Sequence, residues 1–174
     1  MNEPARSFVN HLETLSQINR GALAHLKRSL GFAPGTYPPA FPHVERFVGA
    51  DRHANDPWRL ALYLTAGLYA RYPMQQEGAR LAAALGRLGH ARDSGSVEQR
   101  FIALLAADPD GLPPHLRQAV SLLAADGLAC DYVALLEDLV RWLNPHASES
   151  RDRLRQQWAR DFYRHYEPHT EPQS

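Results

Sequence analysis

Residues 56–73 read Asp-Pro-Trp-Arg-Leu-Ala-Leu-Tyr-Leu-Thr-Ala-Gly-Leu-Tyr-Ala-Arg-Tyr-Pro. Asp56 followed by Pro57 is typical of a helix start, because Asp accepts from the first amides and proline fits the first helical position. Apolar residues then cover nearly every face of the helix until Pro73 ends it, and such a helix belongs in the middle of a bundle. Gly67 costs roughly 1 kcal/mol relative to alanine in a helix, so we expect a close helix–helix approach there.

The chain before this stretch predicts two helices and a long loop. The first helix covers about residues 5–17, and Asn19 caps a second helix that ends at Gly31. Prolines remove amide donors and disfavour helix in the residues that precede them. Four prolines follow closely, so residues 32–56 are predicted to form a surface loop that its aromatic side chains attach to the core: Pro34, Pro38, Pro39 and Pro42.

The chain after this stretch predicts five further helices. One covers about residues 76–89, and a polar, glycine-containing stretch at 89–95 then marks a candidate boundary. Ser96 and Gln99 have the spacing of a capping box. The remaining helices are predicted near 97–107, 113–126, 131–143 and 149–166. We therefore predict an all-α protein of two small helical bundles, residues 1–92 and 96–167, joined by a short linker and followed by a disordered tail at 168–174.

Composition limits the class of protein. Of 174 residues, 44% are hydrophobic and 22% charged, which excludes an intrinsically disordered chain. No apolar run is long enough for a membrane span and no signal peptide is recognisable, so we expect a cytoplasmic protein without a membrane partner. The single cysteine, Cys130, excludes an internal disulfide and a cysteine-cluster zinc site. Its apolar surroundings predict a buried structural thiol.

The sequence contains no recognisable catalytic motif. There is no H-E-x-x-H, Walker loop, dinucleotide-binding glycine motif or G-x-S-x-G. His165 and His169 are four residues apart, but Pro168 lies between them, so they need not share a helix face. The acidic residues near 126–138 resemble a carboxylate site only in composition, because Asp131 is a candidate helix cap. We therefore predict no enzyme activity, no cofactor, no metal and no small-molecule substrate.

The net charge and the choice of basic residue favour different conclusions about nucleic-acid binding. The chain has 19 basic and 19 acidic residues, and a net charge of zero argues against a free-standing nucleic-acid binder. Lys27, however, is the only lysine among the 19 basic residues. Arginine is suited to bidentate phosphate and carboxylate contacts. A GC-rich genome would enrich arginine in the same way, so composition alone leaves both explanations open.

The basic residues lie on particular helix faces. Arg20, Ala24, Lys27 and Arg28 form a stripe beside the apolar face of the second helix, and no acidic residue occurs between Thr14 and Phe41. This stripe is either a phosphate-facing surface or a solubilising one.

Arginines also line the last helix. Arg153, Arg160 and Arg164 share one flank of it, whereas Arg151 and Arg155 lie toward its apolar side. Arg155 either extends past the apolar surface to water or serves a groove between the bundles. Arg100 and Arg117 lie beside the apolar stripes of their helices. Without a base-reading motif, any nucleic-acid contact should be to the backbone.

Several segments together resemble one family. They include Arg20-Gly21-x-Leu23-Ala24-x-Leu26-Lys27-Arg28, the 62–73 stretch, Leu112-Pro113-x-His115-Leu116-Arg117 and Trp158-Ala159-Arg160-Asp161-Phe162-Tyr163, with further matches at 96–105 and 131–142. In this order and at this total length, the chain resembles the CasB family, the small subunit of the type I-E CRISPR surveillance complex called Cascade.

The resemblance implies a non-catalytic, two-bundle helical subunit, present in two copies beside the backbone and large subunits of Cascade. It would contact the crRNA and target DNA through shape and charge and help to hold the displaced strand of the R-loop. The family's basic surface then falls on Arg20, Lys27, Arg28, Arg100, Arg117, Arg151, Arg153 and Arg155. Lys27 replaces the usual arginine, which a simple phosphate contact tolerates better than a bidentate one. The alternative is a protein–protein adaptor whose arginine faces meet acidic partners.

Overall fold

The computed structural model describes residues 3–166, which fold into helices without a β-strand, so the all-α prediction is confirmed. Extended backbone pairs in this range at a single isolated bridge between Gln75 and Cys130. The predicted tail at 168–174 and His169 lie outside the described residues. The α-helices are α1 (Glu3–Ile18), α2 (Arg20–Arg28), α3 (Phe41–Val44), α4 (Pro57–Arg71), α5 (Leu81–Arg92), α6 (Gly95–Ala106), α7 (Leu112–Ala125), α8 (Tyr132–Trp142) and α9 (Ser148–His165).

Helix α4 lies at the centre of the fold, as its all-round apolar sequence predicted. Every residue from Ala61 to Ala70 is buried. The Asp56 carboxylate accepts from the Trp58 amide at 2.9 Å, which confirms the predicted cap. A Cβ added to Gly67 would lie 2.6 Å from a methyl carbon of Leu30 and 3.3 Å from the Leu26 carbonyl oxygen in α2, so the predicted close helix–helix approach at this glycine is confirmed.

Helix α2 begins as predicted and ends earlier. The Asn19 side chain accepts from the Ala22 amide at 3.0 Å, but the α-helix stops at Arg28 and continues as a 3₁₀ turn to Gly31. Gly31 has no positive φ, so it is not the left-handed glycine that the sequence suggested. The predicted loop at 32–56 also contains helical turns, including α3, since proline is tolerated in the first turn of a helix.

Arg59 fixes this segment to the core. Its guanidinium bonds both Glu45 carboxylate oxygens, at 3.2 and 3.3 Å, and donates to the carbonyls of Gly35 and Ala54. It also lies 4.9 Å from the centre of the Tyr63 ring. With 11% of its side chain exposed, Arg59 holds three separate parts of the segment against α4.

Two helix starts in the second half differ from the sequence prediction. Helix α5 begins at Leu81 instead of 76, because Gly78 has a φ of +83° and donates its amide to the Asp131 carboxylate at 2.9 Å. The predicted capping box at Ser96 is wrong. Ser94 has the extended backbone of an N-cap and accepts from the Ser96 amide at 3.3 Å, so Ser96 already lies inside α6.

The two halves of the chain share one hydrophobic core. Helix α8 packs against both α4 and α9, and α9 packs most extensively against α5. The division into two bundles around residues 93–95 stays a prediction. Within residues 3–166, no helix combines the length and apolar character that a membrane span requires.

Aromatic side chains and the single cysteine pack in or against the interior. Trp142 and Trp158 are buried edge to face, and the Trp58 indole donates to the Phe47 carbonyl at 3.0 Å. Cys130 is fully buried, and burial raises the pKa of its thiol above the ordinary value. The buried structural thiol predicted from the sequence is confirmed.

Candidate nucleic-acid interface

The basic stripe of α2 is a free cationic surface. Arg20, Lys27 and Arg28 are exposed, as is Ala24 between them, whereas Ala22 and Leu26 face the core. In the part of the chain that the structure describes, no carboxylate forms an ion pair with any of these three cations. At 1.5 Å per residue the stripe extends roughly 12 Å along the helix.

The stripe ends at a groove of about 720 Å³ between the two halves of the chain. Its walls are mostly apolar, with five prolines, and include Leu30, Gly31, Phe32, Ala33, Pro34, Asn55, Leu60, Pro109, Asp110, Pro113, Pro114, Leu143 and Pro145. Lys27 and Arg28 form the last positions of α2, and the groove residues Leu30, Gly31 and Phe32 follow them closely along the chain.

The first turn of helix α7 lines this groove, and an exposed cation follows one turn later. Pro113 and Pro114 begin α7 and line the groove, and the exposed Arg117 lies one helical turn after them. Pro113 also lines a small cavity together with Leu30 and Phe32, so the start of α7 lies beside the end of α2. Groove walls more than eighty positions apart in sequence thus each have an exposed cation a few residues away in the chain.

Two further arginines extend the basic surface along α7. Arg100 lines a small cavity with His115 and Gln118, which flank Arg117 in sequence. The Arg71 guanidinium at the end of α4 donates to the Ser121 hydroxyl at 2.6 Å, one turn beyond Arg117. Sequence reasoning missed Arg71. Its only signal was a basic residue in the last turn of an otherwise apolar helix.

Comparison with known proteins then gives the family. The sequence profile described as CRISPR-associated protein Cse2 matches residues 22–163. The chain belongs to the Cse2 family, also called CasB. It is 40% identical over 167 residues to the CRISPR-associated protein Cse2 of Thermus thermophilus, covering 92% of this chain and 90% of the relative. The family resemblance drawn from the sequence is confirmed.

Solved structures have the same fold. CasB from Thermus thermophilus is 38% identical with a TM-score of 0.77, covering 93% of this chain and 99% of that one. CasB from M. ruber is also 38% identical, with a TM-score of 0.76 and 94% of each chain covered. A chain of a CRISPR RNA-guided surveillance complex, 24% identical, shares the fold with a TM-score of 0.76 over 94% of each chain.

The arginines at the start of α9 are engaged within this Cse2-family chain. Arg151 donates to the carbonyls of Trp142 and Asn144, both at 2.9 Å. It thereby gives hydrogen-bond donors to backbone carbonyls that have no partner within α8. Because Leu143 and Pro145 line the groove, Arg151 supports a groove wall. A direct nucleic-acid contact by Arg151 stays a prediction.

Arg155 and Arg153 are also engaged, in different ways. Arg155 donates to the Ala107 carbonyl at 3.1 Å and to Asp152, and its guanidinium lies 5.8 Å from the centre of the Trp142 ring. Arg153 is exposed and pairs with Glu149 at 3.3 Å. Their assignment to a nucleic-acid surface likewise stays a prediction.

The acidic residues near 126–138 have separate structural roles. Asp131 accepts from the Val133 and Ala134 amides as the cap of α8, which confirms its predicted role. The buried Asp138 accepts from the Trp158 indole at 2.8 Å and pairs with two arginines. Hydrogen bonds from Arg92 lower the pKa of Asp126. Within residues 3–166, no three His, Cys, Asp or Glu side chains are grouped as a metal site requires.

Proposed function

We propose that this chain is a non-catalytic small subunit of an RNA-guided CRISPR complex and binds single-stranded nucleic acid along the α2 stripe and its groove. The observation that carries the proposal is that Lys27 and Arg28 are exposed just before one wall of the groove and Arg117 one turn after another wall, with no carboxylate paired to these cations within residues 3–166. Arg20 and Arg100 extend this surface. The family match adds the cellular context, a CRISPR-associated protein.

The proposed role is electrostatic and positional. Formation of an R-loop is close to energetically balanced, because the RNA–DNA duplex replaces a DNA duplex of similar stability. A few phosphate contacts to the displaced strand are therefore enough to shift the balance. Such contacts fix a strand without reading its sequence. Other subunits of the complex, the crRNA, the target DNA and a second copy of this chain are the proposed partners, in the cytoplasm.

Salt dependence tests the proposal directly. Each phosphate contact to a single strand adds about −0.7 to the slope of log affinity against log salt. Four contacts, from Arg20, Lys27, Arg28 and Arg117, predict a slope of about −2.8. The double variant K27A/R28A removes two of them and should reduce the magnitude of the slope by about 1.4. R160A/R164A is the charge-matched control, because both arginines are exposed in the second half of α9. An equal effect of the two double variants would contradict the proposal.

A carboxylate added to the stripe should change oligonucleotide binding without lowering the stability of the protein. Ala24 is exposed and lies one turn from Arg20, Lys27 and Arg28. A24E should leave the protein as stable as the wild type or slightly more stable, since ion pairs of this spacing contribute about 0.2–0.5 kcal/mol. It should nevertheless weaken binding of a single-stranded oligonucleotide and flatten the salt slope. Unchanged oligonucleotide affinity would favour the adaptor hypothesis, in which the stripe binds an acidic protein surface.

A further inference from the structure

We propose that the groove receives an unpaired nucleobase, stacked on the Phe32 ring, from a strand whose phosphates lie on Lys27 and Arg28. This inference rests on the proposed function and adds a base-binding element to a surface that otherwise holds only the backbone. The chain's tryptophans do not serve this purpose, because Trp142 and Trp158 are buried and the Trp58 indole is bonded to Phe47.

Phe32 has the properties of a prearranged stacking surface. It lines the groove with 53% of its surface exposed, an unusual exposure for a phenylalanine. Tyr37 stacks against it, with ring centres 4.8 Å apart and planes inclined by 17°. This support restricts the motion of the ring before any ligand arrives, so less side-chain freedom is lost on binding.

The distribution of charge favours a nucleotide with its base inside and its phosphate outside. Asp110 lies in the groove wall, and its carboxylate repels a phosphate that enters the groove. Lys27 and Arg28, which precede the lining residues Leu30 to Phe32, and Arg117, which follows Pro113 and Pro114, attract phosphates outside the groove. Asp110 and Asn55 are the polar residues of an otherwise apolar wall, and both can bond to the polar edge of a base.

The groove has a suitable size for this ligand. Its volume of about 720 Å³ lies within the range of roughly 300–1,000 Å³ that is typical of small-molecule sites. Leu30, Leu60 and the prolines provide apolar surface in the groove wall. Arg59 and Arg151 bond the loop carbonyls of Gly35, Ala54 and Asn144, which holds both walls in place.

The test compares two strands with equal numbers of phosphates. The full-length protein is titrated with an oligothymidylate and with a strand of the same length made of abasic sites. Wild type should bind the oligothymidylate at least about fivefold more tightly, the lower end of base–aromatic stacking. F32A should bind both strands equally, F32L should not restore the preference, and F32W should restore it. I18A is the control, because Ile18 is 76% exposed and does not line the groove.

The outcomes separate this inference from the proposed function. If binding depends on salt and on Lys27 and Arg28 but ignores bases and Phe32, the groove does not hold a base and only the backbone contact stands. Full rescue by F32L would assign Phe32 an apolar packing role instead. If no single strand binds at all, both proposals fail. Thermal unfolding of each variant verifies that its fold is intact.

Discussion

Replacing Gly86 by alanine tests how tightly α5 packs against α9. A Cβ on Gly86 would lie 2.3 Å from the Phe162 carbonyl oxygen, 3.1 Å from its carbonyl carbon and 3.2 Å from its Cα. All three atoms belong to the backbone of α9, so a side-chain rotation cannot relieve the overlap. The two helices must separate by about 1 Å to reach an ordinary contact distance of roughly 3.4 Å or more.

Two opposing effects set the magnitude of this change. Alanine is favoured over glycine inside a helix by about 1 kcal/mol. Overpacking a tight core costs about 1–3 kcal/mol, and more where the backbone must move. The displacement also disturbs the stacked rings of Phe101 and Phe162, whose centres are 4.1 Å apart. We expect G86A to lower the free energy of unfolding by roughly 2 kcal/mol.

Urea denaturation measures the effect, with G95A as the matched control. Gly95 is also helical, but nothing lies within 4 Å of a Cβ added there, so G95A should be neutral or stabilising. A G86A protein as stable as the wild type would show that α9 can move away from α5 at little cost. That result would refute the argument that this glycine determines the helix–helix distance.

Three further predictions concern the groove walls and the pH dependence of stability. R151M removes two bonds to backbone carbonyls, so it should lower the free energy of unfolding by about 2 kcal/mol and weaken single-strand binding; a slope smaller in magnitude by about 0.7 would support a direct phosphate contact, and an unchanged slope would restrict Arg151 to the groove wall. R59K keeps the charge but cannot bond Glu45 bidentately, so the segment 32–56 should be cleaved faster in limited proteolysis. Burial lowers the pKa of both His11 and His43, helped by nearby positive charge. The contribution of these neutral histidines to the free energy of unfolding should therefore be complete above about pH 6.5 and decrease as the pH drops below it. Urea titrations at several pH values should show a smaller decrease for H11Q/H43Q than for the wild type.

The sequence predicted those features of the fold that depend on local pattern. Residues 56–73 determined the central helix, and Asn19, Asp56 and Asp131 cap helices as expected, because an N-cap acts on amides two or three residues away. The start of α5 could not be predicted in the same way. It depends on a bond between Gly78 and Asp131, which are more than fifty residues apart.

The capping box failed for a different reason. Ser94 and Ser96 are both competent caps two residues apart, and local pattern does not choose between them. Helix boundaries of this kind differ by a residue or two even between methods of assignment. In the structure the extended backbone at Ser94 decides the helix start.

The basic residues of the candidate site could be proposed from the sequence, but the groove beside them could not. Lys27 and Arg28 stood out because no acidic residue occurs between Thr14 and Phe41, and Arg117 because it lies beside an apolar stripe and matches the family's basic surface. That α2 and α7 lie next to one groove depends on Pro113 lying beside Leu30, a tertiary contact without a local signal. The role of Arg151 could not be predicted either, because its sequence context does not distinguish a free guanidinium from one that bonds to backbone carbonyls.

The zero net charge is compatible with a local basic surface, because several carboxylates are paired with arginines in other parts of the fold. Carboxylates bind particular arginines elsewhere in the fold, as in Arg59 with Glu45, and those arginines stabilise the structure. The cations of the α2 stripe have no such partner among the described residues, so they dominate the potential within a screening length of about 10 Å. Far from the groove the charges cancel, which limits non-specific attraction to nucleic acid. Under the proposed function, a strand is therefore held only when the larger complex delivers it to the groove.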